Sequence, residues 1–417
     1  MTDAHFNPAF ELTSAQKTRA IGGLFAGIAI WLGAFFSGFV IAQPAPYEIF
    51  LAVVIPIWAI FGLKIPTAIS PLILLLVLFN LGGIISLMTM TDWDGAVIYV
   101  AVSFFLAATS IFFAAIISAK PEHLKLLYSG YLFAALITGA LGILGYFGAI
   151  PGAEQFTLFG RAKGVFKDPN VFAPFLCLPS IWCLYNILTR PFARAVPYAA
   201  AFFVLAIALF LSFSRAGWGL FVLSTALLVF SMLISNQSGR FRIRIIMLSL
   251  IAVVGLLITL LVALQFESVR ELFVIRAQLV QEYDGSRMGR FARQWLGFVK
   301  ATEHPFGIGI LQFGKIFGED PHNIWLKALF DYSWLGFASY VTLMVWTLIS
   351  GFKILFRNRF WQPFLLCAYI VFIGHILIGN VIDTDHWRHF FLLLGIIWGC
   401  VAAEANHQRQ LQQTSAI

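Results

Sequence analysis

Apolar runs of roughly 17–25 residues, parted by short polar stretches, fill most of this chain; as helices, runs of that length cross the hydrocarbon core of a bilayer. They begin near Ala20, Tyr47, Pro66, Gly95, Leu124, Val171, Val196, Ala216, Ile243, Asn323, Trp361 and Trp387, which predicts about twelve transmembrane helices. The expected fold class is all-α, a polytopic integral membrane protein, because a helix satisfies its own backbone groups in lipid. The second run is short and holds Pro56, and Ser212-Phe213-Ser214-Arg215 leaves almost no loop between the seventh and eighth. Pro174 and Pro179 predict a kink or a local opening in the sixth.

One extended polar segment, residues 266–321, separates the ninth run from the tenth. Val269, Leu272, Phe273, Leu279, Val280 and Tyr283 recur at helical spacing and predict an amphipathic helix fit to lie on a membrane surface. After the turn Asp284-Gly285, Arg287, Arg290 and Arg293 follow at i, i+3 and i+6, spread over roughly 120° of one helix face. Two or three guanidiniums so placed converge on one anion. His304-Pro305-Phe306-Gly307-Ile308-Gly309 reads as a tight loop. Asp320-Pro321-His322-Asn323 then reads as a helix start, with Asp320 as N-cap and Pro321 in the first position. His322 in that first turn would be held neutral by the helix dipole and able to accept a proton. An ordinary interfacial histidine is the competing reading. Asp168, before Pro169-Asn170, is expected to cap the sixth span.

Composition narrows the class further. With 60% hydrophobic and 11% charged residues among 417, ordinary soluble folds are excluded. The net charge of +8 does not point to nucleic acid, because the basic residues are scattered along span ends. Their distribution orients the chain instead. An inner N-terminal tail (1–19), nine spans (20–265), a large outward segment (266–321), three spans (322–404) and an inner tail (405–417) put most short-loop lysines and arginines inside. The polar N-terminus shows no removable signal peptide, so the first span is expected to remain as an anchor. Cys177, Cys183, Cys367 and Cys400 lie inside apolar runs and read as packing residues.

Outward basic residues are not explained by that rule. They are Arg161, Lys163, Lys167, Arg215, Arg388 and those of the 266–321 segment, where seven basic side chains meet seven acidic ones. An anion site there depends on specific placement. Arginine suits a pyrophosphate through its planar, permanently charged fork, although snorkelling to phospholipid is the alternative for Arg215. Two Asp-x-Asp pairs, Asp92/Asp94 and Asp383/Asp385, leave a metal-dependent polyprenyl glycosyltransferase of another fold as a competing enzyme. A transporter or flippase is the non-enzyme alternative, with Lys327, Asp331 and His375 as its ionisable candidates. Pairing at i, i+4 is the simpler role for the first two.

Phe213-Ser214-Arg215-Ala216-Gly217-Trp218 resembles a signature of the O-antigen ligase and O-antigen polymerase superfamily. The succession Gly285-Ser286-Arg287, His304-Pro305-Phe306-Gly307-Ile308-Gly309, Pro321-His322-Asn323 and Asp331-Tyr332-Ser333-Trp334-Leu335-Gly336 is similar to that family's long periplasmic loop and following span. The resemblance implies transfer of a glycan from undecaprenyl pyrophosphate to an acceptor hydroxyl at the periplasmic face of the inner membrane, without metal, nucleotide or other cofactor. It implies His322 as catalytic base, with Arg215 and either Arg287 or Arg290 on the pyrophosphate. Arg161, Lys163, Lys167 and Arg388 are candidates to meet a phosphorylated lipid A core acceptor, which favours ligase over polymerase. The expected partners are the lipid-linked donor, the saccharide acceptor and the bilayer.

Overall fold

The computed structural model describes residues 14–235, 238–277 and 289–415. Its first five helices are α1 (Ser14–Phe36), α2 (Pro46–Ile60), α3 (Ser70–Leu87), α4 (Ala96–Ala119) and α5 (His123–Tyr146). A two-stranded hairpin follows, β1 (Thr157–Leu158) and β2 (Arg161–Ala162), then α6 (Pro169–Thr189), α7 (Phe192–Leu211), α8 (Arg215–Ser235) and α9 (Gly239–Ala263). Short helices α10 (Glu267–Ala277), α11 (Arg290–Thr302), α12 (Gln312–Phe317) and α13 (Ile324–Asp331) precede α14 (Ser333–Ile354), α15 (Gln362–Ile378) and α16 (Arg388–Ser415). Among the described residues nine helices are long and apolar enough to cross a membrane, and α1, α2 and α15 supply shorter apolar stretches. All twelve expected runs are therefore helical, and the all-α polytopic membrane class holds.

Burial separates the centre of the bundle from its rim. α16 and α6 are buried over 83% and 78% of their apolar windows, whereas α9 is buried over 6% and presents nearly its whole surface outward. α16 lies along α4, α3 along α14, and α6 between α7 and α8. Lipid gives no hydrophobic drive for these pairings, so close backbone approach through small residues has to supply it. A Cβ at Gly217 would stand 2.4 Å from the Ala173 Cβ, so the α6–α8 crossing needs glycine there. The four cysteines are free and buried, as expected of packing residues.

Three local expectations are corrected. α6 runs unbroken past Pro174 and Pro179, so the span does not open there. The tenth run is not one span: α13 ends at Asp331, Ser333 takes a left-handed φ of 64°, and α14 starts anew. At that break Lys327 and Asp331 form a buried ion pair of 2.8 Å, the predicted i, i+4 pairing, and Tyr332 stacks on Phe79 at 4.0 Å. Finally, the helix after His322 starts later than Asp320 and Pro321 suggest. Asn323 is the N-cap, its side-chain oxygen accepting from the backbone N–H groups of Trp325 and Leu326 at 3.1 Å each.

Candidate functional site

A cavity of about 640 Å³ opens at the end of the bundle that carries α10 to α13, within the size range of small-molecule sites. Its lining comes from three distant parts of the chain: Arg161, Asp168, Asn170, Val171, Phe213, Arg215 and Ala216; then Arg276, Arg290, Phe291, Glu319 and His322; then Val381, Ile382, Asp383 and Trp387. Four arginines thus face one space.

The first group is set by the α7–α8 junction. Phe213 takes a left-handed φ of 47°, a conformation costing a non-glycine residue about 1–3 kcal/mol. The turn reverses the chain so tightly that α8 begins two residues later. The Ser214 hydroxyl accepts from Gly217 N at 3.3 Å and its carbonyl from Trp218 N at 2.8 Å, so Ser214 caps α8 and Arg215 is its first residue. The same turn presents the Ser212 carbonyl to Arg161 Nε at 2.8 Å, while Arg161 Nη2 donates to Asn170 Oδ1 at 2.8 Å. Arg161 is only 7% exposed, and a charge buried that deeply needs such partners. Its hairpin closes on Phe159 and Gly160, both at positive φ, as a two-residue turn of this hand requires. Asp168 caps α6 as expected, accepting from Asn170 N at 2.6 Å.

His322 stands across the cavity, just before the Asn323 cap, with φ 47°. The dipole argument made from the sequence therefore does not apply, because His322 lies outside the first turn. The direction survives for another reason. Burial, and then the nearby Arg290 guanidinium, lower the imidazole below its ordinary value, opposed by Asp320, Glu319 and Asp168. What fixes His322 is Asp383: its carboxylate accepts from His322 N at 3.2 Å and from Asn323 N at 2.9 Å, and lies 4.0 Å from His322 Nδ1. Burial pushes the Asp383 carboxyl up to about 7, against the pull of Lys327.

Arg290 donates to the Val381 carbonyl and, at 3.5 Å, to the His322 carbonyl, which ties the start of α11 to the histidine loop. Arg293 turns elsewhere, to Glu319 at 2.7 Å and the Phe317 carbonyl at 3.3 Å, so the expected three-arginine face is divided. Arg287 lies outside the described residues. Of the four candidate acceptor residues, Arg161 lines the cavity. Lys167 donates to Gln43 at 3.1 Å, Arg388 is paired with Glu48, and neither they nor Lys163 line it. Asp92 pairs with Lys315 at 2.8 Å, and Asp385 accepts from Tyr99 and Tyr332 at 2.7 and 3.3 Å, so the two Asp-x-Asp pairs are drawn into separate contacts. His375 lies buried in α15. The sequence reading missed Asp383 as the support of His322, since 61 residues separate them. It also missed Arg276, which helical spacing places on the Val269–Leu272–Phe273 face.

The stretch from within α7 into α14 contains both Arg215 and His322, and it is here that the chain meets a known family. Residues 200–341 match the O-antigen ligase family model. The match bears out the resemblance carried by the Ser214-Arg215 and Pro321-His322-Asn323 motifs. No curated protein matches the chain. The matched stretch contributes α8, α10, α11 and the loop of Glu319 and His322 to the cavity, and the kind of function it supports is glycan transfer by a membrane ligase or polymerase.

Proposed function

We propose that the protein moves a glycan from undecaprenyl pyrophosphate to an acceptor hydroxyl at the periplasmic face of the inner membrane, with ligation of O-antigen to lipid A core as the reaction. The observation that carries this reading is the meeting of Arg215, Arg290 and His322 at one cavity, although 75 and 32 residues separate them in turn. The donor is already activated, so the chain needs to supply a base and anion contacts.

In this mechanism neutral His322 takes the proton of the acceptor hydroxyl as its oxygen attacks the anomeric carbon. The bond from that carbon to the pyrophosphate breaks, and undecaprenyl pyrophosphate leaves with the electron pair. Arg215 and Arg290 offset its growing charge at the cavity wall. Asp383 holds the His322 backbone and, when ionised, favours the imidazolium that forms. One base and a single displacement give inversion at the anomeric carbon. Arg161, which lines the cavity and is held by Ser212 and Asn170, is assigned to the acceptor side.

A polymerase would use the same donor and base, with a lipid-linked glycan as acceptor. Lipid analysis of a strain lacking the protein separates the two. Long glycan chains left on the polyprenyl carrier, beside bare lipid A core, are expected of a lost ligase. Single repeat units already attached to core would instead identify a lost polymerase and overturn the ligase assignment.

A further inference from the structure

We infer that Arg276 reads the second phosphate of the donor and so makes the cavity select a polyprenyl diphosphate over a monophosphate. The inference rests on the proposed donor class, and it starts from where α10 puts this residue. Val269, Leu272, Phe273 and Arg276 fall at i, i+3, i+4 and i+7, on one face of the helix. The first three are anchors. Val269 is fully buried, a Cβ at Gly160 would stand 3.4 Å from Leu272 Cδ1, and the Phe273 ring lies 6.0 Å from both Phe210 and Trp218. α10 is thereby pinned to the hairpin that carries Arg161 and to the first turn of α8, where Arg215 stands.

The next position on that inward face would ordinarily be apolar, and here it is an arginine lining the cavity. Arg270, by contrast, sits on the outer surface paired with Glu267. The Nε of Arg276 is buried and has no hydrogen-bond partner among the described residues. A buried donor left unmade is destabilising, so its position is accounted for if an acceptor arrives with the substrate. Two other arginines of the cavity already spend donors on protein oxygens: Arg161 on Ser212 and Asn170, and Arg290 on Val381 and His322. A diphosphate brings more oxygen acceptors than a monophosphate, and Arg276 offers them a buried Nε donor that no described residue takes up.

The test measures binding of farnesyl diphosphate and farnesyl monophosphate to the full chain in nanodiscs, for the parent, Arg276→Gln, Arg276→Lys and Arg270→Gln. The parent and Arg270→Gln should prefer the diphosphate by about tenfold, the equivalent of one charge-assisted hydrogen bond. Arg276→Gln should lose that preference while its monophosphate affinity changes by less than about threefold. Arg276→Lys keeps the charge but not the Nε donor, and should lose most of the preference too. Size-exclusion behaviour matching the parent's shows that each variant is folded. Equal weakening of both ligands in Arg276→Gln, or an unchanged preference, overturns the assignment of Arg276 and leaves the proposed reaction standing. A parent that binds neither lipid overturns the diphosphate reading itself, and this inference with it.

Discussion

Asp383→Asn keeps size and shape but removes the charge beside His322, together with one of the two backbone N–H bonds that the carboxylate oxygens accept. With 4.0 Å between His322 Nδ1 and Asp383 Oδ2, an imidazolium and a carboxylate attract by about 4 kcal/mol at an effective dielectric near 20. His322 is 46% exposed, and solvent screening reduces this to about 2 kcal/mol. The turnover rate should fall roughly 30-fold, with KM for the donor little changed. The pH dependence is the sharper signature. Because the Asp383 carboxyl is pushed up to about 7, it is about one-tenth ionised at pH 6 and about nine-tenths at pH 8. Burial and the Arg290 guanidinium lower His322 below its ordinary value, which favours the neutral imidazole toward the upper end of that window. The advantage of the parent over Asp383→Asn is therefore present above pH 7 and shrinks as pH falls through 7. The assay is initial transfer rate on a defined lipid-linked glycan, at both pH values, with protein in nanodiscs. A parent-to-variant ratio that does not change with pH, or stays within twofold at pH 8, would refute the charge argument.

His322→Ala should abolish transfer while membrane abundance stays near that of the parent, as read by immunoblot and product analysis together; activity within a few-fold removes His322 as the base. Arg215→Lys replaces a two-pronged donor with a point charge and should lose most activity, whereas full activity would reduce Arg215 to a lipid-facing anchor. Arg293→Gln breaks a pair with half-exposed Glu319 and should cost less than about threefold in rate, which an impermeability-independent detergent assay can check. Cysteines placed at Glu303 and Ser238, both exposed, should differ in intact spheroplasts: an impermeant thiol reagent labels the first and not the second. The opposite pattern inverts the orientation and puts the cavity in the cytoplasm.

Span positions were legible because apolar run length is imposed by the bilayer and needs no knowledge of contacts. The break at Tyr332–Ser333 was not, since both sides are apolar and the turn is held by Tyr332 against Phe79 and by the Lys327–Asp331 pair. The same limit displaced the helix start at His322. Asp320 and Pro321 have the right residue types for a cap and a first turn, yet Asn323 makes the capping bonds and Asp383 takes the backbone N–H groups of His322 and Asn323. A carboxylate brought in from another helix end leaves no local trace. Asp383 consequently read as half of a metal pair. Arg276 did leave a trace, a charge at i+7 from Val269 on an otherwise apolar face, and periodicity applied to charged as well as apolar residues would have found it. Ser214-Arg215 was readable only through its resemblance to a family motif, although the cap that Ser214 supplies is a purely local bond.

The central claim is that Arg215, Arg290 and His322 act together on a lipid diphosphate donor. Purified protein in nanodiscs, given a defined undecaprenyl-pyrophosphate glycan and lipid A core, tests it most directly. Transfer to core with release of undecaprenyl pyrophosphate, absent in His322→Ala and greatly reduced in Arg215→Lys, is the predicted result. Undiminished transfer by His322→Ala, or transfer by the parent from a nucleotide sugar but not from the lipid-linked glycan, would contradict it.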